Sequence, residues 1–103
     1  MDQHAIDQHA ITELDIYIAN DGDLYRSMTQ YIEKNMRRKW EKGVYSKDRA
    51  VKGWLHLAVA GAKAYHAEFC GPGNWYETFP PDVRLEVAKR FEERFRAEMS
   101  ITA

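Results

Sequence analysis

The stretch that decides the fold is DRAVKGWLHLAVAGAKAYHAEF, Asp48 to Phe69. Wound as a helix, it is apolar around most of its circumference, with one narrow polar stripe. That stripe consists of Lys52, His56 and Lys63. A helix that is apolar on nearly every side lies inside a domain. Ser46 stands in position to cap it at the N-terminus. We therefore expect a central third helix over Ser46–Phe69.

Three further helices are expected around this one. Ile11–Asn20 places Ile11, Leu14 and Ile18 on one helical face, and no partner exists for a strand there. A second helix, Asp23–Lys42, ends at Gly43, and a last helix begins at Pro80 or Pro81. The apolar face of the second helix is predicted from Leu24, Met28, Tyr31, Ile32 and Met36. Val83, Val87, Phe91, Phe95 and Met99 form that of the last. The sequence thus predicts an all-α, compact four-helix domain.

The length of the chain, 103 residues, suits one domain. DQHAI occurs twice, at Asp2–Ile6 and Asp7–Ile11, and matches no known repeat architecture. We interpret residues 1–10 as a flexible duplicated tail and residues 11–103 as a single helical domain.

Composition points to the cytoplasm. The single cysteine, Cys70, rules out an intramolecular disulfide and a four-cysteine zinc site, and it suits a reducing compartment. No run of about 18 apolar residues exists to span a membrane. The first residues lack the apolar stretch of a signal peptide.

The stretch NDGDLYRS, Asn20–Ser27, has the aspartates and glycine of a binding loop. A calcium loop needs glycine at its sixth position, and that glycine is absent when the loop starts at Asn20, Asp21 or Asp23. The neighbouring acids would repel a phosphate. We therefore interpret Gly22 as a turn between helices and Asp23 as an N-cap, which leaves Tyr25 and Arg26 as secondary interface candidates.

Three segments of the chain resemble short proteins encoded by bacteriophages and prophages. The segments are LDIYIANDGDLYR, GVYSKDRAVKGWLHLAVAGAKAY and FPPDVRLEVAKRF, and together they span roughly Leu14 to Phe95. The family has no assigned activity and no catalytic residues to carry over. The resemblance implies a viral accessory protein in the bacterial host cytoplasm.

Charge is unevenly distributed along the chain. Residues 1–24 hold six acids and no Lys or Arg, residues 25–63 hold ten bases and three acids, and residues 64–103 hold five bases and seven acids. Such asymmetry bears on partners rather than on fold.

The basic residues concentrate on one predicted ridge. Lys34, Arg38 and Lys42 are four apart, so a helix stacks them on one side, while Glu33, Arg37 and Glu41 can pair with one another. The predicted interaction ridge is Lys34, Arg38, Lys42, Arg49, Lys52 and the neighbouring Trp40. It is a solvated helix end, a surface for an acidic protein, or a phosphate-binding surface on which Trp40 stacks a base.

Other candidates carry weaker signals. Trp75, Tyr76 and Phe79 form either an exposed binding loop or a cap on the core. His66 and Cys70 have helical spacing for half a metal site, but the other half is missing, so we predict no metal, no cofactor and a buried, inert Cys70. Glu92, Glu93 and Glu98, on a helix rich in arginine, are interpreted as surface charge.

The function predicted from these observations is that of a small non-enzymatic accessory protein. It would bind, and could inhibit, a host macromolecule such as a defence or replication component. The expected partner is a host protein or nucleoprotein. The alternative is a nucleic-acid-binding protein that uses the basic helix 34–42. A second copy of the chain is a further partner that could cover surplus apolar surface.

Overall fold

The computed structural model describes residues 8–20 and 22–102, with side chains over 8–20 and 25–100. This part of the chain is all-helical and contains no strand. Its helices are α1 (Gln8–Asn20), α2 (Gly22–Glu41), α3 (Lys47–Tyr65), a single-turn α4 (Trp75–Thr78) and α5 (Pro81–Thr102). One π-helical turn, His66–Cys70, continues α3. The prediction of an all-α fold is confirmed.

Several boundaries differ from the prediction. The described residues form five α-helices rather than four, because the aromatic loop contains the extra turn α4. Helix α1 begins at Gln8, so the last three residues of the predicted tail are helical and Ala10 packs against the core. Helix α2 begins at Gly22, so the prediction that Gly22 forms a turn ahead of this helix was wrong. Residues 1–7 and the Asp23 side chain of the predicted N-cap lie outside the described part.

The short connection between α2 and α3 is fixed by both its ends. Gly43 has a positive φ of 72°, and the N–H of Val44 donates to the Lys39 carbonyl at 2.9 Å. This is the Schellman pattern, in which glycine is favoured because it adopts the left-handed conformation without strain. The Ser46 hydroxyl accepts from the Arg49 N–H at 3.5 Å, which confirms the predicted cap.

The core lies between α3 and its neighbours. Helix α3 packs most extensively against α5, and it also contacts α1, α2 and α4. Ile11, Leu14 and Ile18 of α1 are buried, as the predicted face requires. The largest fully buried side chains include Phe79, Leu57, Val83 and Val87.

Helix α2 presents most of the predicted face to the core, but one tyrosine takes the place of another. The side chains of the predicted face that pack on the core are Met28, Ile32 and Met36. Tyr31 is 73% exposed, whereas Tyr25 is 5% exposed and packs edge-to-face on Tyr17 with ring centroids 6.4 Å apart. Tyr25 therefore does not offer the exposed interface surface that the sequence suggested.

Two buried carboxylates join the helices. Asp15 of α1 pairs with Arg94 of α5 and lies 3.9 Å from Nη1 of Arg90. Glu92 of α5 is fully buried, so its interpretation as surface charge was wrong. Its carboxylate accepts from the Tyr45 hydroxyl at 2.7 Å and from Nε and Nη2 of Arg96 at 3.1 and 3.2 Å. These contacts attach the α2–α3 connection to α5.

Candidate functional site

A concave groove of about 500 Å³ lies between α2 and the first half of α3. From α2 it is lined by Met28, Tyr31, Ile32, Asn35, Met36 and Lys39; from the connection and α3 by Val44, Tyr45, Ser46, Arg49, Ala50, Gly53 and His56. Two large apolar side chains are exposed at this groove, Tyr31 and Val44, the latter at 62%. Exposed apolar surface within a concavity is typical of a binding site.

The floor of the groove exists because α3 is smooth where α2 crosses it. Gly53 and Ala50 carry no bulky side chain, and a Cβ added at Gly53 would lie 3.0 Å from Cε of Met36. Met36 therefore lies directly over the glycine. Methionine side chains adapt readily to differently shaped partners, which suits a floor that must accept an incoming apolar side chain.

One end of the groove is held rigid by an aromatic series. The Tyr45 ring stacks on Phe95 with centroids 5.9 Å apart, and Trp40 packs edge-on against Tyr45 at 5.1 Å. Burial and the neighbouring Glu92 carboxylate raise the pKa of Tyr45 well above its usual range, so its hydroxyl stays protonated and keeps donating to Glu92.

Positive charge borders the groove. Lys39 and Arg49 belong to its lining, and the exposed Lys52 lies four residues before the lining residue His56. On α2, Lys34 and Arg38 follow the lining residues Tyr31 and Asn35 by three positions, which makes them surface neighbours of the groove. The groove thus combines an apolar floor with cationic borders.

The predicted ridge is partly brought together. Lys34, Arg38, Lys42, Arg49 and Lys52 are all exposed, and within the described residues no carboxylate lies within 4 Å of their charged groups. Arg49 lines the groove, whereas Lys34 and Arg38 line a shallower depression on the other side of the ridge. The predicted ridge is therefore divided, with Arg49 at the groove and Lys34 and Arg38 at the neighbouring depression.

That shallower depression holds part of the predicted acid–base ladder, because among the described residues Arg37 pairs with Glu33 and with Glu98 of α5 instead of Glu41. Nη2 of Arg37 lies 3.9 Å from Oε2 of Glu33 and 3.2 Å from Oε1 of Glu98 on α5. Burial, and then the negative charge of Glu98, raise the pKa of Glu33, and Arg37 offsets part of that effect. Here the charges compensate one another, which makes the depression a poorer candidate than the groove.

Trp40 and Trp75 are both half-buried and in contact with other side chains, so neither ring is fully exposed for stacking. Trp40 is half-buried, and its ring packs against Tyr45. Part of the ring surface that would stack on a base is therefore already in contact with the protein. Trp75 is half-buried, and its ring lies beneath the charged ends of Lys63 at 5.2 Å and Arg84 at 4.7 Å. Arg26 and Tyr76 are exposed, and neither lines the groove.

The predicted metal half site also differs from its sequence interpretation. His66 is buried with Nδ1 3.1 Å from the Thr78 hydroxyl, whereas Cys70 is exposed, contrary to the expected buried cysteine. Cys70 is the last residue of the π turn, directly before Gly71. Within the described ranges, no group of three or more His, Cys, Asp or Glu side chains could hold a metal ion.

The sequence missed the groove itself. Lys39, Val44 and Tyr31 were not grouped as a site, because Tyr31 has the spacing of a core residue and Val44 follows the helix stop. The usable signal was the pair Ala50 and Gly53, which leaves α3 flat next to a basic helix.

None of the helices in the described part is both long and apolar enough to cross a membrane. Comparison of the chain with protein-family models, with curated proteins and with solved structures gives no match.

Proposed function

We propose that this chain is a non-enzymatic protein-binding module whose α2–α3 groove accepts an acidic amphipathic helix of a partner protein. One observation carries the proposal: exposed Tyr31 and Val44 share a groove with Lys39 and Arg49. Apolar anchors on the partner would pack on the floor formed by Met36 and between the exposed Tyr31 and Val44. Carboxylates flanking those anchors would face the cationic borders.

A helix suits the groove because the groove lies between two packed helices. Helix-in-groove recognition places apolar residues at i, i+3 or i+4 and i+7 on the floor and leaves the remaining positions for charge. Complementary charge speeds association and selects the partner more than it adds affinity. Lys34 and Arg38 extend the positive border beyond the groove and would serve this selection.

Binding of nucleic acid through the ridge Lys34–Lys42 is the second candidate. Five phosphate contacts, for example from the five predicted cations, would give a logarithmic salt slope of about −4.5. Phosphates make no use of an apolar floor, and Trp40 already packs on Tyr45. These two points favour the acidic protein partner.

The proposal keeps the setting that the sequence suggests: a phage-type accessory protein in the bacterial cytoplasm that binds, and inhibits, a host defence or replication component. It also keeps the four-helix arrangement with α3 at the centre as the scaffold that positions α2 for binding. A second copy of the chain is the competing occupant of the groove.

Designed peptides test the proposal directly. The test peptide is a helix of about 16 residues, somewhat longer than the stretch of α2 that lines the groove, with leucines on one face and glutamates elsewhere. A matched control peptide carries lysines in place of the glutamates. We expect the acidic peptide to bind and the basic one to fail. Arg49→Glu should weaken binding about tenfold or more, and Lys89→Glu, an exposed reversal on α5, should not.

Gly53→Leu provides a second test, because its side chain would fill the floor beside Met36. We expect loss of peptide binding with unchanged circular dichroism. Binding to generic DNA or RNA with a steep salt slope, and none to the acidic peptide, would refute the proposal in favour of the second candidate. Elution as a dimer that dissociates on Gly53→Leu would assign the groove to a second copy.

A further inference from the structure

A second concave surface lies at the other end of α3, about 20 Å along the helix from the centre of the groove. It is a shallow, open depression of about 500 Å³ between α1 and the π turn. Its lining is Glu13, Ile16, Tyr17, Asn20, Tyr65, Glu68 and Phe69. The proposed peptide groove shares none of these residues, so this pocket needs its own explanation.

Three aromatic rings form one side of the pocket. The Tyr17 ring lies 5.2 Å from Tyr65 at 82° and 6.0 Å from Phe69 at 80°. Tyr65 and Phe69 are 4.9 Å apart, four residues from each other on one side of the helix. Both contacts of Tyr17 are edge-to-face, so in each the edge of one ring meets the face of the other, whereas Tyr65 and Phe69 are tilted by 53°. Phe69 is 62% exposed, so part of its electron-rich ring surface is accessible.

Two carboxylates are fixed beside these rings by tyrosine hydroxyls. The Tyr17 hydroxyl donates to Oε2 of Glu68 at 2.8 Å, and the Tyr65 hydroxyl donates to Oε2 of Glu13 at 3.3 Å. Each carboxylate keeps a second oxygen and further lone pairs. Oε1 of Glu13 lies 3.7 Å from Nε2 of His9, a side chain that is 84% exposed. Among the described residues, Glu68 has no basic partner within 4 Å.

The fold brings these groups together by two devices. A Cβ at Gly61 would lie 2.5 Å from Cγ1 of Ile18, so α1 approaches α3 closely enough for Tyr17 to reach Tyr65. The π turn His66–Cys70 then carries Glu68 and Phe69 beyond the end of α3. Single π turns are frequent at functional sites.

The charge of the pocket is of one sign. Its lining contains two glutamates and no lysine or arginine, and the first 24 residues of the chain contain six acids without a basic residue. Burial, together with the negative charge of Glu13, raises the pKa of Tyr65. Electron-rich ring faces and fixed carboxylates both favour a cation.

We propose that this pocket binds an arginine side chain of a partner protein. A guanidinium is planar, so it stacks on an aromatic face while its five N–H groups donate to carboxylates at its edge. Oxygens of Glu68 and Glu13 beside Phe69 supply both kinds of contact. A lysine ammonium would use the charge but not the planar stacking surface, so arginine is the better fit.

A small probe tests the pocket in the whole chain. N-acetylarginine amide is titrated by NMR against the side-chain signals of Tyr17, Tyr65 and Phe69, with the neutral isostere N-acetylcitrulline amide as the matched ligand. We expect saturable shifts with the arginine probe, with a dissociation constant of roughly millimolar size, and none with citrulline. N-acetyllysine amide should bind several-fold more weakly.

Variants locate the response. Glu68→Gln and Phe69→Leu should each weaken binding of the arginine probe about fivefold, whereas Glu93→Gln, an exposed change on α5, should leave it unchanged. Equal shifts with citrulline, equal affinity for the lysine probe, or unchanged affinity in Glu68→Gln would overturn the proposal. Glu68→Gln should retain binding of the acidic peptide, and Arg49→Glu should retain binding of the arginine probe. The two sites can therefore fail separately.

Discussion

At the scale of single residues, Glu92 matters most to the stability of the groove. Its carboxylate is completely buried, yet it has three charge-assisted or hydroxyl donors, from Tyr45 and from Arg96. A buried charge is tolerated when it is paired and its lone pairs are satisfied. Because Tyr45 lies in the α2–α3 connection, this cluster holds one wall of the groove against α5.

We expect Glu92→Ala to lower the free energy of unfolding by about 1–3 kcal/mol, because it leaves a cavity and deprives the Tyr45 hydroxyl of its acceptor, whereas the Arg96 side chain is 42% exposed and can be hydrated. Tyr45→Phe should cost about 1 kcal/mol, the size of one net hydrogen bond. Urea unfolding followed by circular dichroism measures both. Glu93→Ala, the exposed neighbour, is the control and should stay within about 0.5 kcal/mol of the wild type. A similarly small effect at Glu92 would show that the cluster is not needed for folding.

The burial of Glu92 illustrates what one sequence can and cannot reveal at this scale. The spacing of Glu92 and Arg96 correctly indicates an i, i+4 pair. The neighbouring glutamates and arginines make the whole segment look solvated. What buries Glu92 is Tyr45, 47 positions earlier in the chain. Only the packing of α3 on α5 brings the two together.

At the scale of elements, two glycines of α3 differ in how much space surrounds them. Gly61 is buried, and an added Cβ would lie 2.5 and 2.6 Å from Cγ1 and Cδ1 of Ile18. At Gly53 the nearest atom to an added Cβ is the mobile methyl end of Met36, at 3.0 Å. The first glycine therefore sets the distance between two helices, and the second only shapes the groove.

Gly61→Ala should destabilise the protein by about 1–3 kcal/mol, because overpacking would push α1 away from α3. Gly53→Ala should be neutral or stabilise by up to about 1 kcal/mol, since alanine favours a helix and Met36 can move. Thermal and urea unfolding of the pair provide a comparison within one helix. A Gly61→Ala protein as stable as Gly53→Ala would contradict the close approach of α1.

The helices themselves were largely predictable, and the reasons are local. Gly43 and Ser46 mark the end of α2 and the start of α3 through their own backbone and hydroxyl chemistry. The face of α2 was less predictable, because Tyr25 and Tyr31 both fit an amphipathic pattern. Tyr25 became buried against Tyr17, and Tyr31 stayed at the open groove. This choice depends on how α2 packs on α1 and α3, which the sequence does not state.

At the scale of the whole molecule, charge is divided between surfaces in a way that the sequence shows only in outline. One acid of α1, Asp15, forms an ion pair with one base of α5, Arg94. Arg37 pairs with Glu98. Lys39 and Arg49 line the α2–α3 groove, and Glu13 and Glu68 lie at the opposite end of α3. The basic segment was visible in the sequence, whereas the aromatic pocket with its two glutamates needed the approach of α1 to the π turn.

Global stability should depend on alkaline pH through Tyr45. Burial and the adjacent Glu92 raise the pKa of Tyr45 in the folded protein, whereas an unfolded tyrosine titrates near 10. Above pH 10 the unfolded chain therefore loses this proton first, and ionisation favours unfolding. The contribution of Tyr45 is complete below pH 10 and declines as the pH rises towards the folded-state pKa.

The difference in unfolding free energy between wild type and Tyr45→Phe should accordingly be largest near pH 8 and shrink between about pH 10 and 11.5. Titration of the general lysine and tyrosine background affects both proteins alike and cancels in this difference. A gap that stays constant over that range would mean that the Tyr45 hydroxyl is not held by Glu92 in solution, and the groove would then lack its fixed wall.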